Sequence, residues 1–430
     1  MARTMKWMWM PAVAALLLTA CGSGSDGASD GAVTIRLQAF GDPEELTAYR
    51  KLIAAFEART PDVRVEFIPV GKQKDHMAKL ATGFAASDPP DLFLINFRRY
   101  GQFASRGVLE PLGPRLVERG KYRVEDFYPQ PIEAFTFDGV LTCAPQNVSS
   151  LVTFYNTRLF AEAGLPAPTA DWTWEQFATA AKALTKDVDG DGRSEVYGIG
   201  FEPVMIRLAP FVWQAGGDIV DDLAKPTRFT LDTPEAQRAL DFVHSWYLQG
   251  WAPPLVENKS EDHESRFARG GLGMILHSRR YVATLRAVEG LEWDVAPLPR
   301  DQQAATVLHA DAYCMAAASK HKDAAYRFVE FALEPEGAGI IARSGRTVPA
   351  RRSVAEGPDF LDPTQPPRSA AVFLQSLDTM RRTPNIAVWN EVETRVDPLT
   401  EEWYFGPEVP HKPLQQDISD SIPGLLDGAR

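Results

Sequence analysis

Aromatic side chains stand beside polar ones at several predicted strand and loop ends of this chain. They are Phe40, Phe97, Trp213, Tyr281, Tyr313 and Trp389. Sugar rings present apolar C–H faces together with hydroxyl groups, so flat aromatic walls next to charged or amide partners suit them. Taken singly, each of these aromatics is also an ordinary core residue. Only as a set do they indicate a carbohydrate site.

Motifs of the common enzyme classes are missing from the sequence. Its single Gly-x-Ser-x-Gly match, Gly27–Gly31, lies in a Gly/Ser/Asp stretch without the preceding strand and following helix of a nucleophile elbow. It has no His-Glu-x-x-His zinc site and no phosphate loop that ends in Gly-Lys-Ser/Thr. A glycosidase carboxylate pair is defined by its separation in space, so the sequence leaves that alternative open. We expect a binding protein and not an enzyme, with a secreted carbohydrate-active enzyme as the rival interpretation.

One acidic segment has the spacing of a calcium loop. Asp187, Asp189 and Asp191 occupy its first, third and fifth places, and Gly192 occupies the sixth. The twelfth place, where a bidentate Glu is expected, holds Gly198. A turn rich in Asp and Gly accounts for the segment without metal. We therefore expect no required cofactor and keep a structural calcium as the alternative.

The N-terminus, residues 1–20, has the pattern of an export signal. Arg3 and Lys6 precede the mostly apolar run Met8–Leu18, which is short for a membrane span of about 20 residues. Leu18-Thr19-Ala20-Cys21 resembles the lipobox of bacterial lipoproteins, so Cys21 is the predicted lipidation site. Residues 21–31 read as a flexible Gly/Ser/Asp tether. The alternative is an ordinary signal peptide with a chance cysteine.

The length and net charge of the chain limit the number of folded units and the kind of partner. With 430 residues the chain has room for two or three folded units, and a formal net charge of -12 argues against a nucleic-acid partner. Cys143 and Cys314 are far apart in the sequence. Two cysteines do not form a disulfide scaffold, so we expect buried free thiols, with a disulfide as the alternative.

Strands and helices alternate in the first part of the chain. Strand patterns cover Ala32–Phe40, Val63–Val70 and Asp91–Ile95, and amphipathic helices cover Glu44–Arg59 and Lys74–Ala86. This order is the signature of an open α/β sheet, in which ligands bind beyond the carboxyl ends of the strands.

Two such strand ends carry candidate ligand groups. Asp42 follows the first strand, although a helix cap explains it equally well. Asn96, Arg98 and Arg99 follow the third strand. A solvated surface pair is the simpler explanation for at least one of the two arginines.

Two strand-like stretches are predicted to connect lobes. Leu141–Tyr155 lacks helical spacing and leads into a short helix that ends at Gly164. Thr306–Ala317 has the same character. We interpret the first stretch as one strand that passes between lobes, and the second as a second crossing.

Several segments together resemble the family 1 extracellular solute-binding proteins, the maltose-binding-like receptors of ABC sugar importers. The similarity covers Val33 to about Ala350 and rests on the order of its segments. These are AFGDPEELTAYRKLIAAFEARTPDVRVEF, DLFLINFRRYGQFASRGVLEPL, SLVTFYNTRLFAEAGLPAPTADWTWEQF, DVDGDGRSEVYG and SKHKDAAYRFVEFALEPEG.

The resemblance implies an α/β fold with two lobes, each a mostly parallel sheet flanked by helices, joined by hinge strands. The corresponding lobes are residues 32–147 plus 312–368 and residues 148–311 plus 369–430. It also implies a set of residues that face the ligand: Phe40, Asp42, Asn96, Arg98, Asn147, Ser149, Trp213, Asp218, Asp311, Tyr313 and Trp389.

The sequence supports two interpretations of the ligand class. The resemblance implies a neutral di- or oligosaccharide. Ser278-Arg279-Arg280-Tyr281 and Ala310-Asp311 depart from the family pattern, and Arg98, Arg279, His277 and His309 suit an anionic sugar or a glycerophospho-type ligand.

The partners implied are the small-molecule sugar and the membrane subunits of an ABC permease. We expect a monomer, exported and lipid-anchored to the outer face of the cell membrane or on the periplasmic side. A subunit that senses the ligand for a signalling protein is a further alternative.

Overall fold

A computed structural model describes residues 31–120, 122–407 and 414–426. The predicted export signal and Cys21 lie outside the described residues, as does the tether up to residue 30. Among the helices that are described, none is both long and apolar enough to cross a membrane.

The strands in chain order are β1 (Val33–Phe40), β2 (Val63–Val70), β3 (Leu92–Asn96), β4 (Leu109–Glu110), β5 (Thr136–Phe137), β6 (Val140–Leu141), β7 (Ala144–Pro145), β8 (Val152–Asn156), β9 (Tyr197–Gly200), β10 (Leu272–His277), β11 (Trp293–Ala296), β12 (Thr306–Val307), β13 (Asp311–Ala316) and β14 (Met380–Arg381). The helices are α1 (Pro43–Arg59), α2 (Gln73–Ala85), α3 (Phe97–Ala104), α4 (Leu112–Glu118), α5 (Pro129–Ala134), α6 (Thr157–Glu162), α7 (Trp174–Leu184), α8 (Met205–Gln214), α9 (Pro234–Leu248), α10 (Leu255–Ser260), α11 (His263–Ala268), α12 (Tyr281–Arg286), α13 (Lys322–Leu333), α14 (Pro335–Ala342), α15 (Arg352–Ala355), α16 (Val372–Gln375), α17 (Trp389–Tyr404) and α18 (Leu414–Ser421). Short 3₁₀ turns cover Val124–Asp126 and Ser376–Thr379.

The first sheet has the strand order β2-β1-β3-β13-β4, and β7 pairs with β13. Strand β1 is parallel to β2 and β3, whereas β13 runs antiparallel to β3 with Asp311 opposite Asn96. Because β13 is reversed, its first residue lies at the edge where β1 and β3 end. Phe40, Asn96 and Asp311 therefore meet at one edge of the sheet.

Helix α1 begins at that same edge. Asp42 caps it, since its Oδ1 accepts a hydrogen bond from the Glu45 backbone N–H at 3.2 Å. The helix then packs on the sheet through a stripe of buried apolar side chains: Leu46, Tyr49, Leu52, Ile53 and Phe56. The capping interpretation of Asp42 is confirmed, and the cap brings the carboxylate to the strand ends.

The second sheet has the order β11-β8-β10-β9 and differs from the mostly parallel arrangement expected. Strand β8 is antiparallel to both of its neighbours, and only β10 and β9 run in parallel. The cause is the entry of β8 from the crossing. Val152, its first residue, lies opposite His277, the last residue of β10. The end of β10 thus lies beside the crossing.

The crossings are short broken segments, so the expectation of one strand over Leu141–Tyr155 is wrong. Between β7 and β8 the chain forms single bridges, Asn147 with Pro349 and Ser149 with His309. The second crossing is divided in the same way, into β12 and β13. Its β12 pairs with β14. Isolated bridges hold fewer hydrogen bonds than a continuous ladder, which suits segments that bend between lobes.

Cys143 and Cys314 form a disulfide, so the expectation of free thiols is wrong. Their Cα atoms are 4.6 Å apart although 171 residues separate them in the chain. The antiparallel pairing of Ala144 with Tyr313 causes this approach, because it brings the preceding and following residues side by side. Both cysteines are fully buried.

Candidate ligand-binding cavity

A polar cavity of about 380 Å³ lies where the edges of the two sheets and the crossings meet. Its walls include residues from the ends of β1, β3 and β10, from both crossings, and from the loop at residues 346–347. Nine of the residues predicted from the sequence line it: Phe40, Asp42, Asn96, Arg98, Asn147, Ser149, His277, His309 and Asp311.

Asp311 is the centre of a hydrogen-bonded group on the first-lobe wall. Its carboxylate accepts hydrogen bonds from Asn96 Nδ2 and Asn147 Nδ2, each at 3.0 Å. Its backbone N–H donates to Asn147 Oδ1 at 3.1 Å. Burial raises the pKa of Asp311, and the two amide donors oppose that rise. The group holds carboxylate and amide oxygens in a fixed arrangement that can accept hydrogen bonds from ligand hydroxyls.

Arg346 pairs with two further carboxyl groups that line the cavity. This nearly buried guanidinium forms ion pairs with Asp42 and with Glu45, the latter at 3.3 Å. Burial raises the pKa of Glu45 to about 7, although Arg346 acts to lower it. Gly41 makes room for this arrangement, since a Cβ there would lie 2.5 Å from Glu45 Oε2.

A second part of the lining, which we call the positive wall, consists of His309 and three arginines whose charges act on it. They are Arg98, from the start of α3 next to Asn96, Arg207 and Arg280. Burial, followed by the positive charges of Arg98 and Arg207, holds the pKa of His309 well below its ordinary value. The imidazole is therefore neutral at physiological pH.

His277 orients this wall from the end of β10. Its Nδ1 accepts a hydrogen bond from the Ser278 backbone N–H at 2.9 Å, so the ring proton is on Nε2 and is donated to Glu264 Oε1 at 2.9 Å. Glu264 also pairs with Arg280. Burial lowers the pKa of His277, which keeps the ring neutral. The predicted cluster of Arg98, His277 and His309 is thus present at the cavity.

Three predicted ligand residues are buried away from the cavity. Tyr313 packs edge-on against Phe328 in the core of the first lobe. Trp389 is in the core of the second lobe, where its Nε1 donates to Glu393 at 3.1 Å. Arg279, 1% exposed, is stacked beside two aromatic rings and donates to the Gly345 carbonyl. Their ligand roles stay predictions, and a solute in the cavity does not reach them in this conformation.

Trp213 and Asp218 line a different cavity of about 340 Å³. Arg381 crosses it, with its guanidinium 5.2 Å from the Trp213 ring and a hydrogen bond of 2.5 Å to Asp218. Leu308 lines this second cavity, whereas its neighbour His309 lines the first. Because successive side chains of an extended segment point to opposite faces, the two cavities lie on opposite faces of the crossing.

Four charged lining residues were not predicted: Glu45, Arg207, Arg280 and Arg346. The sequence could have indicated Arg280 as a ligand residue, because it follows the carboxyl end of the buried strand β10. Glu45 lies in the first turn of α1, where an acidic residue is common and does not indicate a ligand role. Arg207, within α8, and Arg346, after α14, had no local pattern that marks a ligand group.

The predicted calcium residues do come together. Carboxylate oxygens of Asp187, Asp189, Asp191 and Glu195 lie within 4.8 Å of one another, and all four residues are exposed. Oxygen donors at this spacing suit calcium. Asp187, however, also accepts hydrogen bonds from the backbone N–H groups of Gly190 and Gly192, at 2.7 and 2.9 Å. A turn held by its own backbone has the same arrangement.

Residues 41–339 match the family described as bacterial extracellular solute-binding protein. The chain belongs to this family. The maltotriose-binding protein of Pyrococcus abyssi is 26% identical over 84% of this solute-binding protein and 76% of its own length. The diacetylchitobiose binding protein DasA of Streptomyces coelicolor is 24% identical over 88% of this chain and 85% of its own.

A solved structure supports the same assignment. An ABC substrate-binding protein of Listeria monocytogenes in complex with cycloalternan superposes with a TM-score of 0.82 at 25% identity. The match covers 92% of this chain and 99% of that one. The expected two-lobed fold is confirmed. Membership in the family also confirms an exported binding protein and not an enzyme.

Proposed function

We propose that this solute-binding protein captures a hydroxylated, sugar-like solute and delivers it to the membrane subunits of an ABC importer. The observation that carries the proposal is the polar cavity of about 380 Å³, whose walls come from both lobes and from the crossings between them. The sugars named for its relatives from Pyrococcus and Streptomyces support the ligand class.

Closure of the lobes provides the mechanism. A solute that contacts Asn96 and Asp311 on one side and Ser278 and Arg280 on the other gains its full set of contacts only when the lobes are together. Ligand binding therefore shifts the population towards the closed state, by as much as its affinities for the two states differ. The protein acts as a monomer, and the permease recognises the closed form.

The lining narrows the choice between a neutral and an anionic ligand. A neutral di- or oligosaccharide follows from the resemblance and from the names of the relatives. The small aromatic surface of the cavity argues against a neutral sugar, since Phe40 is the only Phe, Tyr or Trp among the described lining residues. The anionic alternative is favoured by the guanidinium groups of Arg98, Arg207 and Arg280.

A ligand screen on the purified mature chain tests the function. We expect at least one neutral or acidic sugar to raise the melting temperature and to be recovered unchanged, because a binder stabilises the fold without consuming the ligand. Asp311→Asn weakens that binding about tenfold or more, since it replaces an ionised acceptor. Asp301→Asn, outside the cavity on an exposed ion pair with Arg238, is the control and leaves binding unchanged. Turnover of the sugar, or equal affinities in both variants, contradicts the proposal.

We also propose that Cys21 anchors the protein to the membrane surface through a lipid. The support is the lipobox pattern followed by a Gly/Ser/Asp tether. In cells, Cys21→Ser is expected to release the protein into the soluble fraction, whereas the wild type stays with the membrane and incorporates labelled fatty acid. Release of both forms contradicts the anchor.

For the acidic loop we propose at most a weak structural calcium site. Gly198 replaces the bidentate Glu, and the four carboxylate residues are exposed. Weak loops of this kind bind at about 10⁻⁴–10⁻³ M. EDTA is therefore expected to leave the melting temperature unchanged, with a rise only in millimolar Ca²⁺ that Asp187→Asn abolishes. Stabilisation by micromolar Ca²⁺ contradicts this.

A further inference from the structure

The arginine side chains of the positive wall are held in fixed positions. Arg98, Arg207 and Arg280 come from three separate elements, the start of α3, helix α8 and the loop after β10. All three line the cavity beside His309. No local sequence feature predicts that three arginines from separate elements line one cavity beside the same imidazole.

Carboxylates hold these guanidinium groups from outside the cavity. The pairs are Arg98 with Glu393 at 3.2 Å, Arg207 with Glu202 at 2.6 Å, and Arg280 with Glu264. None of the three carboxylates lines the cavity, whereas all three guanidinium groups do. Ion pairs of this kind fix the orientation of each planar group before a ligand arrives, which lowers the entropy cost of binding.

Each guanidinium keeps donors that these pairs do not use. Of its five N–H groups, Arg280 uses Nη2 towards Glu264, and Arg207 uses Nε and Nη1. Two buried nitrogen atoms on this wall, Arg98 Nε and His309 Nε2, have no hydrogen-bond partner within the part of the chain that the structure describes. Buried polar atoms are normally paired. Arg98 Nε is a donor and lacks an acceptor, whereas His309 Nε2 donates or accepts according to the tautomer of the neutral ring.

Carboxylates line the same cavity. Asp42, Glu45 and Asp311 are among its lining residues; Arg346 pairs with Asp42 and Glu45, and the charge of Arg98 acts to lower the pKa of Asp311. Carboxylates accept hydrogen bonds from hydroxyl groups, whereas a second anion beside them would be repelled. The two kinds of lining group together suit a ligand that carries both hydroxyls and an anionic group.

We infer that the ligand carries one phosphate or carboxylate group, bound by Arg98, Arg207, Arg280 and His309, with its hydroxyls towards Asp42 and Asp311. This inference rests on the proposed function and specifies the solute class for the same cavity. Arg binds both anions through a planar fork of N–H groups, so phosphate and carboxylate share the recognition chemistry.

Calorimetry with matched pairs of probes tests the inference. The anionic probes are glycerol 3-phosphate, glucose 6-phosphate and glucuronate. Glycerol is the neutral counterpart of the first, and glucose is the neutral counterpart of the other two. We expect at least one anionic probe to bind about tenfold or more tightly than its neutral counterpart, because a charge-assisted hydrogen bond is stronger than a neutral one. The phosphate and carboxylate probes separate the two sources of charge.

Arg280→Gln is the informative variant, and Arg269→Gln is its matched control. Both side chains are 51% exposed and both pair with a partly exposed Glu, but Arg269 pairs with Glu261 and does not line the cavity. We expect Arg280→Gln to weaken anionic binding about tenfold or more, and to weaken neutral binding by a clearly smaller factor. Arg269→Gln changes neither.

The outcomes separate this inference from the proposed function. Tighter binding of a neutral sugar, or equal losses for neutral and anionic probes in Arg280→Gln, overturns the anion site and leaves the sugar-binding function standing. If neither these probes nor any sugar of the wider screen is bound, the proposed function fails together with the inference.

Discussion

Glu45 shows how one buried residue acquires a property that its sequence position does not suggest. It belongs to the first turn of α1, next to the exposed Glu44, and is itself only 9% exposed. Burial raises its pKa to about 7, and Arg346 opposes that rise. Its carboxyl group therefore titrates close to physiological pH, inside the cavity that we assign to the ligand.

The raised pKa of Glu45 predicts a pH dependence of stability. Between its ordinary pKa of 4.5 and about 7, the folded protein keeps a proton that the unfolded chain has released. The free energy of unfolding therefore falls as the pH rises through this window. We expect the difference between pH 5 and pH 8 to shrink in Glu45→Gln by at most about 3 kcal/mol.

Urea unfolding at the two pH values measures this difference. Glu44→Gln is the matched control, because it removes an exposed carboxylate one residue away. The control is expected to keep the wild-type pH dependence. A Glu45→Gln variant whose pH dependence equals that of the wild type contradicts the raised pKa.

For Trp389, the position in the structure changes the expected effect of a substitution from weaker ligand binding to lower stability. The resemblance implies a ligand wall, whereas the side chain is fully buried and stacks on Phe229 in the second-lobe core. We expect Trp389→Ala to lower the free energy of unfolding by about 3–5 kcal/mol, because it leaves a large cavity. Val256→Ala, at a position 74% exposed, changes it by less than about 0.5 kcal/mol. Weaker ligand binding with unchanged stability would instead support the ligand wall.

At the scale of elements, β13 determines much of the site. It is the reversed strand of the first sheet, so its first residue, Asp311, reaches the edge where β1 and β3 end. The same pairing aligns the chain before β7 with β13 and brings Cys143 to Cys314. One strand thus links the cavity wall, the second crossing and the disulfide.

The disulfide predicts a measurable contribution to stability. In a chain with Cys21→Ser, we expect Cys143→Ala/Cys314→Ala to lose about 2–5 kcal/mol of unfolding free energy, because the crosslink restricts the unfolded chain. Alkylation of the parent Cys21→Ser chain under denaturing conditions should add no label unless it is reduced first. Two labelled thiols without reduction would contradict the bond.

At the scale of the whole molecule, the crossings connect two separately built sheets. Three crossing residues that line the cavity, Asn147, Ser149 and His309, form isolated bridges, whereas Asp311 lies in the β13 ladder. The proposed closure therefore acts on segments that few hydrogen bonds hold.

This arrangement predicts a change of shape on binding. We expect the radius of gyration from small-angle scattering to fall when a solute that binds in the calorimetric screen is added in excess, because closure brings the lobes together. Arg280→Gln at the same ligand concentration is expected to show a smaller change, and Arg269→Gln the wild-type change. A bound solute without any change of shape contradicts closure.

Local patterns were enough to predict the alternating strands and helices of the first lobe. The strand Val63–Val70 has the bounds that its pattern predicts. The strand-end rule found Asp42, Asn96 and Arg98, because carboxyl ends of parallel strands share an edge whatever the rest of the fold does. The proposal of a lipid anchor at Cys21 likewise rests on local sequence alone.

Only the tertiary structure decided which residues face the cavity and which are buried. Arg207 and Arg346 line the cavity although they come from elements far apart in the chain, and the Trp389 side chain is buried in the second-lobe core. The pairing of Cys143 with Cys314 likewise depends on a strand register across 171 residues. Periodicity records which side of an element is apolar. It does not record which other element covers that side, and this packing separates a ligand wall from a core.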